Sequence, residues 1–114
     1  MPDIAGDKLR GHLESMVLSV LERGPAHGLE ILRRLDSAGH GSLRLREGSL
    51  YPALYRLEDS ALLKAKWEEE TEGRRGARRR IYHLTAKGKS ALAAGRAQWK
   101  TFARVIGAIM GARA

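Results

Sequence analysis

Between Leu50 and Thr85 the spacing of apolar side chains changes period twice, and few folds accommodate such a chain. Leu50, Leu54, Leu57 and Ala61 recur at steps of four, three and four, which places them on one face of a helix. From Leu63 onward the pattern becomes alternation, with Leu63, Ala65 and Trp67 set against Lys64, Lys66 and Glu68. A second alternating run, RRIYHLT (79–85), puts Tyr82 and Leu84 on one side. Glu72 to Ala77, between them, is rich in Gly and Arg and reads as a turn. Two short strands joined in this way form a hairpin. Thr85 is a plausible N-cap for a last helix that carries Leu92, Trp99, Phe102, Ile106, Ile109 and Met110 on one side.

Upstream, Leu9, Leu13, Met16, Val17, Val20 and Leu21 follow helical spacing, closed by Gly24-Pro25. Leu18 departs from that stripe and hints at a second covered surface. A second helix is expected from near His27, carrying Leu29, Ile31, Leu32 and Leu35 and ending before Gly39. SLRLRE (42–47) has room for a short extended piece. In the third helix Pro52 is expected within the first turn, where backbone N–H groups lack intrahelical partners and proline costs little. The order is helix, helix, short strand, helix, hairpin, helix. This is a mainly α chain with a small antiparallel hairpin, the plan of a winged helix-turn-helix.

With 114 residues, 43% hydrophobic and 30% charged, the chain suits a single modest core. The longest uncharged apolar run, Val105 to Ala112, is too short to span a bilayer. The opening MPDIAGDKLRG lacks an apolar segment of the kind that directs secretion, so a cytoplasmic address is the expectation. Without cysteine there is neither a disulfide nor a thiolate metal site.

Charge is the informative total: 21 Lys and Arg against 13 Asp and Glu give +8. The excess is bunched, with Arg74, Arg75, Arg78, Arg79 and Arg80 beside Gly73 and Gly76 at the expected hairpin tip. Guanidinium groups on such a loop suit phosphate oxygens or a narrow minor groove. On the third helix, the face opposite Leu50 holds Ser49, Pro52, Tyr55, Arg56 and Asp59, with Tyr51 on the flank. Ser49 can meet a phosphate or a base edge, and Arg56 a phosphate or a guanine. For Tyr51 a half-buried packing role stays equally open. Glu47, Glu58 and Asp59 make this helix slightly acidic, so the wing is expected to supply much of the affinity. That acidity is also the best support for a rival reading, a winged-helix module that binds protein or RNA without operator specificity.

Catalysis finds no support. His12, His27, His40 and His83 are scattered, with no HExxH, GxSxG or Gly-rich phosphate loop. His27 suits a helix cap better than a metal site. No metal or cofactor is expected.

HGLEILRRL (27–35), GSLYPALYRLEDSALL (48–63), a Trp-bearing strand and GRRGARRRIYHLTAKGKSAL (73–92) together closely resemble the PadR family of bacterial transcriptional regulators. The resemblance runs from about Leu13 to Leu92. It implies a homodimeric winged-helix protein, usually a repressor, on an inverted-repeat operator in double-stranded DNA. It also places Tyr51 and its neighbours at the DNA. Ser49 stands where the family more often has Thr, a departure that bears on base preference. Residues 1–85 are then the DNA-binding domain and 86–114 a dimerisation helix. The stripe of Trp99, Phe102, Ile106 and Ile109 is too apolar for a helix reaching past a small core, and a second copy would cover it together with Leu18. In some small relatives a Trp of this helix lines a pore where flat hydrophobic effectors stack. Trp99 therefore carries two open readings, dimer packing and effector binding.

Overall fold

The computed structural model describes residues 12–43, 45–68 and 78–111. Four helices and one antiparallel hairpin follow in order: α1 (Leu13–Leu21), α2 (Gly28–Ala38), α3 (Glu47–Asp59), β1 (Leu63–Trp67), β2 (Arg80–Leu84) and α4 (Ala86–Met110). Among the described residues no helix is long and apolar enough to cross a membrane.

Val17, Val20 and Leu21 of α1 are buried as their spacing requires. Leu18 is buried as well, only 2% exposed within its own chain. The second surface of α1 is therefore covered by the protein's own core, and Leu18 is not available to a partner, contrary to the expectation above. Leu9 lies outside the described residues. The helix closes at Gly24, whose φ of 141° is denied to residues with a side chain.

α2 begins at His27, whose Nδ1 accepts from the Glu30 backbone N–H at 3.3 Å. The imidazole thus fills the role a Ser or Asp usually has at an N-cap. Ile31 and Leu35 enter the core, whereas Leu29 stays exposed. Arg34 fastens α2 to the end of α1: its Nη1 donates to the carbonyls of Val20 at 3.1 Å and Gly24 at 2.7 Å. Those carbonyls, left open where α1 ends, gain a charged donor.

Of the short strand expected at 42–47, the described residues show a single bridge position, Leu43, and no longer strand. The hairpin also meets the α1–α2 turn. Ala26 N–H donates to the Tyr82 carbonyl at 3.2 Å, and Tyr82 N–H returns a bond to Ala26 at 2.9 Å. The α1–α2 turn therefore holds the hairpin directly.

α3 buries Leu50, Ala53, Leu54 and Leu57. It starts earlier than its proline suggests, because the N–H groups of Ser49 and Leu50 already bond to the Arg46 carbonyl at 3.0 and 3.1 Å. Pro52 lies in the second turn, where it removes the bond that would have reached the Gly48 carbonyl. No capping side chain marks this start, which is why the sequence concealed it. The helix stops at Asp59, and Ala61 is not on its apolar face. Instead Ala61 adopts a left-handed φ of 62° while Leu62 N–H reaches back to the Leu57 carbonyl at 2.9 Å.

Leu63 pairs with Leu84, Ala65 with Tyr82 and Trp67 with Arg80 across the hairpin. Tyr82 is 5% exposed, and burial raises its phenol above the ordinary value. Thr85 caps α4 as expected, accepting from Gly88 N–H at 2.9 Å. Its hydroxyl donates to the Ala61 carbonyl at 2.7 Å. Leu92 joins the same core as α1 and α3. Farther along, Arg96 pairs with Glu22 at 2.9 Å and holds that carboxyl below its usual range. Beyond this point α4 runs out past the core.

Candidate nucleic-acid interface

The buried stripe of α3 fixes what its other side presents. Ser49, Pro52, Tyr55, Arg56 and Asp59 are all exposed, and Tyr55 is 67% accessible. Tyr51 is half-buried on the flank and lies against the hydrophobic core cluster. Its ring sits over the start of α2, so close that a methyl group on Gly28 would come within 2.5 Å of the hydroxyl oxygen. Glycine at this position makes room for the tyrosine.

The same tyrosine borders a cleft of about 220 Å³ with His27, Gly28, Leu29, Arg78, Arg79, Arg80 and Tyr82. The α2 N-terminus, the flank of α3 and the base of the hairpin therefore meet around one side chain. Arg78 and Arg79 are exposed there. Arg79 Nη1 lies 3.2 Å from His27 Nε2, while His27 Nδ1 serves the cap. A neutral imidazole has one acceptor nitrogen, so these two contacts compete for the tautomer. The arginines and the free N–H end of α2 give this side of the molecule a positive field suited to phosphate.

Arg56 is less free than its place on the helix suggests. Its Nε donates to Glu14 Oε1 of α1 at 2.6 Å, with both side chains substantially exposed. An exposed pair of this kind is weak, worth at most about 1 kcal/mol, so the guanidinium can exchange partners. Arg80, its side chain 37% exposed, pairs with Glu58 of α3. Two of the charges on α3 are thus already matched within the chain. Arg74 and Arg75 lie outside the described residues.

On α4, Trp99, Phe102, Ile106, Ile109 and Met110 are exposed. Trp99 and Phe102 stack with centroids 5.7 Å apart, and His12 meets the Trp99 ring edge-on at 5.6 Å. Among the described residues no three His, Asp or Glu side chains gather where a metal ion could be held.

Sequence reasoning missed Gly28, His27 and Leu29 as members of this surface. Periodicity is blind to them, because it does not show that α2 and the hairpin pack beside the flank of α3 that carries Tyr51. It also missed the pairing of Glu58 with Arg80, residues 22 positions apart.

Helix pair, recognition-type helix and basic hairpin define a winged helix-turn-helix protein. The model of the transcriptional regulator PadR-like family matches residues 17–94, and the chain belongs to that family. It is accordingly a DNA-binding transcriptional regulator and not an enzyme. Solved structures agree. A transcriptional regulator from Clostridium thermocellum superposes with a TM-score of 0.80 at 29% identity, covering 91% of this chain and 95% of that one. A PadR-like transcription factor from Bacteroides fragilis shares 36% identity with a TM-score of 0.71, over 87% of this chain and 90% of that one. A PadR family regulator from Clostridium difficile matches at 30% identity and TM-score 0.73, over 88% and 99%.

Proposed function

We propose that the protein is a homodimeric repressor that reads an inverted-repeat operator in double-stranded DNA. The observation that carries this reading is the junction at Tyr51, where the flank of α3, the start of α2 and Arg78 and Arg79 at the hairpin base line one cleft. Ser49, Tyr51, Tyr55 and Arg56 face the major groove. Arg74, Arg75 and Arg78 hold the flanking backbone. Glu58 is matched by Arg80 and Arg56 by Glu14, so these pairings leave the slight acidity of α3 unchanged and the wing must supply the attraction to phosphate.

Dimerisation follows from α4. Its outer stretch exposes Trp99, Phe102, Ile106, Ile109 and Met110 in succession, and a patch of that kind needs a partner. A second copy is the simplest occupant, since a two-fold contact between equal apolar faces sets two reading heads on one palindrome. Residues 86–114 then serve as the dimerisation helix and residues 1–85 as the reading head. Trp99, stacked on Phe102, offers the ring face on which a planar hydrophobic effector would rest, releasing DNA when bound. A regulator of this kind works in the bacterial cytoplasm, where its operator lies.

Selection of duplexes by the purified protein, followed by competition against bulk DNA, tests the reading. A palindromic motif is expected, bound by two chains and preferred by about 10³ or more over unrelated duplex. Binding without preference, or preference for single-stranded RNA, would overturn it.

A further inference from the structure

Three consecutive arginines lead into β2, and they do not share a task. Side chains alternate across a strand, so Arg80 lies on the face of Tyr82 and Leu84, which is the inward face of the hairpin. Its cross-strand partner Trp67 ends the matching face of β1. The guanidinium carbon lies 5.8 Å from the centre of the Trp67 ring, within the range of a cation–π contact. Nη2 donates to Glu58 in the last turns of α3. Nε is buried and has no hydrogen-bond partner among the described residues. One edge and the stem nitrogen of this arginine are thus held against the protein and one face lies toward the Trp67 ring, although its side chain stays 37% exposed and Trp67 59% exposed. Swinging it out to a phosphate would strip Glu58, only 28% exposed, of its cation, and leaving a half-buried carboxylate unpaired is costly.

We propose that Arg80 is a positioning residue, a strut that fixes the angle between the hairpin and α3 through Glu58 and Trp67 and makes no DNA contact. The inference rests on the DNA-reading function above. It gives physical content to the cluster at 78–80: Arg78 and Arg79 face the solvent, while Arg80 sets where they point. A carboxylate on a groove-reading helix is otherwise a liability near phosphate. Here Glu58 anchors the strut.

A charge exchange tests this with the full-length protein and the selected duplex. Arg80→Glu and Glu58→Arg are each expected to lower the urea midpoint and to weaken duplex binding about tenfold or more. The double variant is expected to recover most of both losses, since neighbouring partners couple. Its plot of log affinity against log salt should keep the wild-type slope. A phosphate contact predicts the opposite: the double variant would bind as weakly as Arg80→Glu, with a slope smaller by about one. That result, or additive urea shifts, overturns the strut. If Arg80→Glu does not fold, Arg80→Met decides by slope alone: weaker binding at an unchanged slope supports the strut, and a slope smaller by about one refutes it. Coupling in urea together with a wild type that ignores DNA sequence would leave the strut standing and sink the operator reading instead.

Discussion

Gly28→Ala is a small change with a calculable conflict. The added methyl would lie 2.5 Å from the Tyr51 hydroxyl oxygen and 2.8 Å from the ring carbon bearing it, distances that real contacts do not tolerate. Tyr51 must move, since Gly28 begins α2 and its backbone is tied into the helix. Overpacking of this kind costs about 1–3 kcal/mol, and because the obstacle is a side chain rather than backbone the lower end applies. Against it stands the preference of a helix for Ala over Gly, about 0.5–1 kcal/mol and less at a first position. The net expectation is a loss of about 0.5 kcal/mol. With m-values of about 1–3 kcal/mol per molar urea, the midpoint should fall by roughly 0.2–0.5 M. In a Tyr51→Ala background the obstacle is gone and only the helix preference remains, so the same substitution should stabilise by up to about 0.5 kcal/mol. The sign reversal is the diagnostic, measured by urea unfolding of the four proteins at one fixed concentration, because assembly shifts apparent stability. A Gly28→Ala effect of equal sign and size in both backgrounds would refute the close approach of Tyr51 to α2. The displaced hydroxyl should also weaken duplex binding without altering its salt slope, as Tyr51 carries no charge.

Two further expectations concern the ends of α3 and α4. Ala61 holds a left-handed φ of 62° on an exposed turn, a conformation that costs a residue with a Cβ about 1–2 kcal/mol; Ala61→Gly should therefore raise Tm by about 4 °C, and an unchanged or lower Tm would show that no such strain is present. In the proposed function Trp99 offers the ring face for a planar effector, so Trp99→Ala should bind a planar aromatic dye about tenfold more weakly than wild type in a fluorescence titration, and equal affinity would remove that site from the proposal.

The elements themselves were legible because each depends on local chemistry. Thr85 and His27 cap helices through side chains within three residues of the N–H groups they accept from. The hairpin strands show in the alternation of Leu63, Ala65 and Trp67, although the face they share is covered only at Leu63, half-buried at Ala65 and exposed at Trp67. The exposed face of α3 was legible too, since burying Leu50, Leu54 and Leu57 leaves Ser49, Tyr55 and Arg56 no inward direction. Pro52 misled, because proline tolerates a first turn so well that it masked a start at Glu47 with no capping side chain.

Periodicity and charge, then, settled which segments fold into which elements and which side of α3 faces solvent, since both follow from contacts between near neighbours in the chain. Tertiary structure alone decided the rest. It sank Leu18 into the chain's own core, seated Tyr51 on Gly28, gave Arg56 to Glu14 and turned Arg80 inward onto Glu58 and Trp67. These are meetings between residues distant in sequence, and no spacing rule encodes them. They exist because burying the apolar faces of four helices and a hairpin around one centre fixes how those elements sit, and the surface side chains then pair with whatever that arrangement brings within reach.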